Sequence, residues 1–216
     1  CYSNPEVVQQ CLTDARAFFA LPAEERSLRR LGTDRFYPVV PMDNSSYCKC
    51  PRCIAIDSGR PTDGQFSSGK YSERVWSFVN KVARGLKESN PDKMVSALAY
   101  ASYAHRPAGM KIEDNIAVQM CLFPRAAAMS PDTLTNDDTI LREWADGRPL
   151  YLWLYTCLTT GHMPQTPMFP GPMGRLYGGL LRKYRQAGVR GIFFNGVPQY
   201  PDAYFLFKLT DDPDRN

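Results

Sequence analysis

Apolar positions recur along this chain in two alternating rhythms. Val7, Val8, Cys11, Leu12, Ala15, Phe18 and Phe19 are spaced by three and four residues, which predicts an amphipathic helix ending near Ala20 with Leu21-Pro22 as its break. Ser3-Asn4-Pro5-Glu6 suits its start, with Asn or Ser as cap, proline in the first turn and an acid where the helix dipole favours an anion. Residues 23–35 are charged and read as a loop or a short helical piece. Residues 36–42 form an apolar run of strand length, flawed by Pro38 and Pro41, because proline cannot donate to a sheet ladder. Val75, Phe78, Val79, Val82, Ala83 and Leu86 give a second helical stripe, flanked by Trp76 and Asn80 and closed by Ser89-Asn90-Pro91. Further strands are predicted at 94–100, 116–120, 150–155 and 189–194. Helices fall at 134–145, stopped by Gly147, at 174–187, capped by Gly188, and in part at 203–209.

Apolar strands separated by helical segments imply an α/β fold with about five parallel strands and flanking helices. Eight strands close a barrel, so the order fits the C-terminal part of a (βα)8 TIM-type barrel, or an open α/β sheet. On this reading residues 1–216 are one partial barrel domain whose N-terminal strands are missing. The chain has no initiator Met and no signal segment, so a fragment opening inside a loop is expected; Cys1 as the lipidated first residue of a bacterial lipoprotein is the alternative.

Composition narrows the classes. At 44% hydrophobic and 22% charged residues the chain reads as globular, and no apolar run reaches the length of a membrane span. The net charge of +4 is mild and gives no reason to expect nucleic acid. Its densest basic set, Arg175, Arg182, Lys183, Arg185 and Arg190, fits the solvated face of one helix. Neither a G-x-G-x-x-G turn nor a Walker sequence occurs, and Gly178-Gly179 lies inside a predicted helix, where close packing explains it.

The densest chemistry lies in FYPVVPMDNSSYCKCPRC, residues 36–53. A short apolar run ending in Asp43 and Asn44 is how an α/β barrel places a reactive group at the carboxyl end of a strand. The competing reading is an Asx turn that merely closes the strand. Cys48, Cys50 and Cys53 follow in a C-x-C-x2-C spacing that can turn three thiolates toward one point. Cys1 is the leading fourth ligand of a structural zinc, with Asp43 or His105 as substitutes. A disulfide within the cluster is the alternative, favoured by export. Catalysis by these thiols is not expected, because His105 and His162 are the only histidines and neither is near in sequence. Cys11, Cys121 and Cys157 lie on apolar faces and read as packing residues. Residues 54–70, rich in Asp, Ser, Gly and Pro, are a long surface loop.

Five stretches carry a family resemblance: CYSNPEVV, DNSSYCKCPRC, VWSFVNKVARGLKESNPDKMVSALAY, LYLWLY and RQAGVRGIFFNG. In that order, from Cys1 to about Gly196, they resemble the C-terminal portion of the glycoside hydrolase family 163 catalytic barrel. That family was long catalogued as a domain of unknown function related to α-glucuronidases. The resemblance implies an extracytoplasmic or secreted bacterial endo-β-N-acetylglucosaminidase that acts on N-glycans, with an oligosaccharide or glycoprotein glycan as partner and no catalytic cofactor.

Glycosidic cleavage needs an acid and either a second carboxylate or the substrate's own 2-acetamido group. Asp43 is the candidate catalytic carboxylate, suited to orienting such an amide, with Asn44 beside it. The general acid is expected outside this chain, which alone would be inactive. Tyr100, Tyr103, Trp153, Tyr155 and Asn195 stand at or near predicted strand ends and suit a saccharide pocket, since flat rings stack on sugars and phenols or amides bond hydroxyls. For Trp153 and Tyr100 the competing reading is core packing. The chain departs from the family pattern at Leu154, where an acidic residue is common; this is expected to remove a polar group from the mouth. A non-catalytic, metal-stabilised carbohydrate-binding module is the alternative function.

Overall fold

The first helix, α1 (Pro5–Ala20), begins where Asn4 accepts the Glu6 N–H in its side chain and Pro5 occupies the first turn. Its buried stripe is Val8, Leu12, Ala15 and Phe18. A computed structural model describes residues 1–28, 34–57, 64–156, 174–196 and 200–214 of the chain. Residues 157–173, with Cys157 and His162, and residues 58–63 of the predicted loop at 54–70 lie outside the described residues.

Five parallel strands with flanking helices make an α/β sheet in the order β1-β2-β3-β4-β5. They are β1 (Phe36–Pro38), β2 (Met94–Ala99), β3 (Ile116–Leu122), β4 (Leu150–Tyr155) and β5 (Val189–Asn195). The chain divides into two compact units, Cys1–Gln119 and Met120–Asn216.

In the first unit the helices are α1, α2 (Ala23–Leu28), α3 (Pro51–Ile54) and α4 (Ser72–Ser89). β1 is shorter than the predicted run 36–42. Its ladder with β2 pairs Phe36 to Met94 and Pro38 to Ser96, and Val39 N–H adds one bond to the Ser96 carbonyl before the strand stops. Pro38 and Pro41 donate nothing and account for the early end. The buried face of α4 is wider than the apolar stripe. Trp76 and Asn80, expected at its margins, are buried, as is Arg74. Trp76 donates its indole N–H to the Tyr103 carbonyl at 3.0 Å. Asn80 bonds the Lys111 carbonyl and the Glu113 N–H, fixing the turn that launches β3.

In the second unit the helices are α5 (Pro124–Met129), α6 (Pro131–Trp144), α7 (Gly174–Gln186) and α8 (Tyr200–Asp211). Neither α3 nor α5 was expected: both are shorter than two turns and too short to show a period. β4 alternates fully, with Leu150, Leu152 and Leu154 buried and Tyr151, Trp153 and Tyr155 half-buried on the other face. It pairs parallel with β5, Tyr155 opposite Asn195. Gly188 takes φ +82 between α7 and β5, a conformation that strains any residue with a Cβ. Two expectations fail. Arg190 lies on β5, so the basic set is not one helix face. An added Cβ at Gly179 would meet nothing within 4 Å, so close packing does not explain that glycine.

Candidate functional site

The two candidate chemistries of the first unit share one loop. Asp43 and Asn44 lie beyond the shortened β1, separated from it by residues 39–42, and both are exposed. The Asn44 side chain accepts the Ser46 N–H at 2.8 Å, which is an Asx turn. Asp43 is near enough to Tyr47 to help raise its phenol, after burial as the larger cause and against a lowering hydrogen bond from Ser102. Carboxylate and turn are therefore set on a loop rather than at the strand end itself.

That loop runs into the cysteine cluster. The Sγ atoms of Cys1, Cys48, Cys50 and Cys53 all lie within 4.8 Å of one another, Cys1 at 3.7 Å from Cys50 and 3.6 Å from Cys53. Neither Asp43 nor His105, the expected substitutes, joins them among the described residues. Cys1 is delivered by the turn that caps α1, Cys50 caps α3, and Cys53 is buried inside α3. The Cys53 N–H donates to the Cys50 sulfur at 3.4 Å, and the Ser3 hydroxyl stands 3.3 Å from the sulfurs of Cys1 and Cys53 and 3.7 Å from that of Cys50. The Cys53 N–H first, then the Ser3 hydroxyl, bring the Cys50 thiol down to about 6. Cys48 is raised: the Cys50 N–H lowers it, but that is outweighed by its hydrogen bond to the Cys50 side chain and by burial. Of the packing cysteines, Cys121 is buried and Cys11 half-buried, with burial raising its thiol.

Sequence reasoning missed the residues that hold this loop. Arg74 on α4, 2% exposed, donates to the Cys48 carbonyl at 2.7 Å and forks onto Asp57, through Nε at 2.9 Å and through a second, shorter bond. Its guanidinium also covers the rings of Tyr71 and Tyr47, at 5.1 and 5.9 Å. Tyr47 meets the Ser102 hydroxyl at 3.1 Å, just past β2. The signal was present: Arg74, Phe78 and Val82 share one helical line, and a charge on a buried line demands partners.

The candidate aromatics sit by strand ends in each unit. In the first, Tyr100 directly follows β2 and packs edge-on to Phe66 at 5.6 Å and to Tyr103 at 6.3 Å. Tyr103, a candidate for the saccharide pocket, is 4% exposed, within a single 3-10 turn, Ala101–Tyr103. Ala101 there takes φ 48, a left-handed conformation that costs a non-glycine residue about 1–2 kcal/mol. In the second, Tyr155 stacks on Phe123 with centroids 4.5 Å apart and planes at 7°, and Asn195 is its cross-strand neighbour. Trp153 lies 6.3 Å from Tyr155 and 4.4 Å from Phe193; its Nε1 is buried and meets no acceptor among the described residues. Leu154 faces the buried side with Leu150 and Leu152, so a residue there does not point with the rings, and its apolar character removes nothing from their face. A cleft of about 440 Å³ between α1 and α4, lined by Arg16, Lys81, Arg84 and Glu88, also takes in Ser3 beside the cysteine cluster.

Comparisons with known proteins add the family. No curated protein matches the chain. One similar solved structure is an endo-glycoceramidase II from Rhodococcus sp. in complex with a five-membered iminocyclitol. It shares 12% identity at a TM-score of 0.42, over 90% of this chain and 42% of that one, so the chain spans less than half of that enzyme. The family described as domain of unknown function DUF4838 matches residues 1–216. With its whole length matched, the chain belongs to the DUF4838 family.

Proposed function

We propose that this domain is the C-terminal part of a glycoside hydrolase barrel, in an endo-β-N-acetylglucosaminidase of the family 163 type that acts on N-glycans outside the cytoplasm. The observation that carries the reading is the half-buried face of β4. Three aromatic rings alternate along it, the last stacked on Phe123 beside Asn195, and the Trp153 N–H lacks an acceptor among the described residues. A ring face with an amide and an indole donor beside it is the chemistry that grips a pyranose. The order of parallel strands and the resemblance of CYSNPEVV, DNSSYCKCPRC and LYLWLY to family 163 support the same reading. In the first unit taken by itself, Asp43 is the carboxylate suited to a 2-acetamido group, Asn44 shapes its loop, and Tyr100 stands just past β2; the general acid lies outside this chain.

The test is glycan release from an N-glycoprotein by the parent polypeptide, followed by mass spectrometry. Tyr155→Ala and Asn195→Ala are expected to lower kcat/KM at least tenfold, and Asp43→Asn to abolish turnover while glycan binding persists. Binding without release by the unaltered protein makes it the metal-stabilised carbohydrate-binding module instead. No binding and no release removes both readings.

A further inference from the structure

Four cysteine sulfurs from segments 49 residues apart are gathered into one cluster, and its geometry is that of a ligand cage. Zinc–thiolate bonds of about 2.3 Å place the corners of a tetrahedron about 3.8 Å apart. The Cys1–Cys50 and Cys1–Cys53 separations are 3.7 and 3.6 Å. A disulfide instead needs its sulfurs at about 2.05 Å. Around the sulfurs stand the groups that a thiolate cage uses: the Cys53 N–H on Cys50, the Ser3 hydroxyl among three of the sulfurs, and the buried Arg74 holding the Cys48 carbonyl.

We propose that Cys1, Cys48, Cys50 and Cys53 bind one zinc ion as four thiolates, and that Arg74 positions the Cys48 edge of that site. Each sulfur binds as its thiolate, those still protonated giving their protons to solvent, and four thiolates with Zn²⁺ leave a net charge of −2. Lys49 and Arg52, set between the ligands in sequence, supply the opposing charge, while Arg74, paired with Asp57, holds the Cys48 carbonyl. The ion joins the start of α1 to the loop that carries Asp43 and to α3. Arg74 continues that link to α4, and Tyr47 continues it to the turn after β2. The site is therefore a fastening for the strand-end loops of the first unit, and its existence does not depend on the glycan reading.

The 216-residue chain, purified and dialysed against metal-free buffer, is expected to retain one zinc per chain by plasma mass spectrometry. Exchange for Co²⁺ should give the thiolate-to-cobalt charge transfer and strong ligand-field bands of a tetrahedral four-sulfur site. Cys48→Ser and Cys53→Ser should lose the stoichiometric ion, whereas Cys11→Ser keeps it. Because a cysteine variant can fail to fold, the unaltered chain is also stripped with a chelator and retitrated, with saturation expected at one equivalent. Arg74→Met should weaken zinc ten- to a hundredfold in chelator competition and shift the cobalt bands, the scale seen when partners of metal ligands are removed. Asn80→Ala, which loosens α4 away from the sulfurs, should shift neither. Bound iron in place of zinc, a disulfide mapped among the four cysteines, or retention unchanged in Cys53→Ser overturns the zinc site. Unchanged affinity and bands in Arg74→Met overturn the role of Arg74.

Discussion

Arg74 shows how much one side chain can organise. A guanidinium 2% exposed, forked onto Asp57 and bound to a backbone carbonyl, is stable only while every partner stays in place. Removing it strands the Asp57 carboxylate, 19% exposed, so Arg74→Met should cost about 3–5 kcal/mol in urea unfolding. Arg74→Lys should recover little, because an ammonium cannot supply the fork. The cysteines make a second residue-scale case. A Cys50 thiol brought down to about 6 is mostly thiolate at neutral pH, and as pH falls through that value it takes up a proton and loses its nucleophilicity. In metal-free protein, iodoacetamide should therefore modify Cys50 with an inflection near pH 6, followed by peptide mass spectrometry. Ser3→Ala should move that inflection upward, and an inflection at the ordinary thiol value in the unaltered chain contradicts the assignment.

At the scale of elements, the legible ones had room for their period to repeat. α1, α4 and β4 were readable because six or more alternating or helically spaced residues agree, and the limits of β4 coincide with its prediction. β1 was overextended because the apolar character of 39–42 outlasts its hydrogen bonding, which Pro38 and Pro41 curtail. The short helices α3 and α5 offered no period to detect. The four cysteines were legible from spacing, because a C-x-C-x2-C turn is local. Arg74, Asp57, Tyr47 and Ser102 were not, since their meeting depends on how α4 packs against two loops. The facing of β4 gives an element-scale prediction. Leu154→Glu places an unpaired carboxyl on the buried side with Leu150 and Leu152, and should unfold the chain or cost more than about 3 kcal/mol by calorimetry. Tolerance of that change would mean that position 154 points with the rings.

For the whole molecule, the α/β class and the parallel strands followed from the alternation of apolar runs with helical stripes, and membership of DUF4838 covers the full length. The proposed function rests on side chains at strand ends, which periodicity alone cannot tell from core: Tyr103 is buried and Tyr155 half-buried, although both looked alike in sequence. Tryptophan emission gives direct access to the strand-end chemistry, because Trp76 and Trp144 are fully buried and Trp153 is not. The deciding measurement is a fluorescence titration of the chain with an N-glycan core oligosaccharide. The account predicts a saturable change that disappears in Trp153→Phe and weakens at least tenfold in Tyr155→Ala. Emission that stays flat at saturating oligosaccharide, or a change that persists unaltered in both variants, contradicts it.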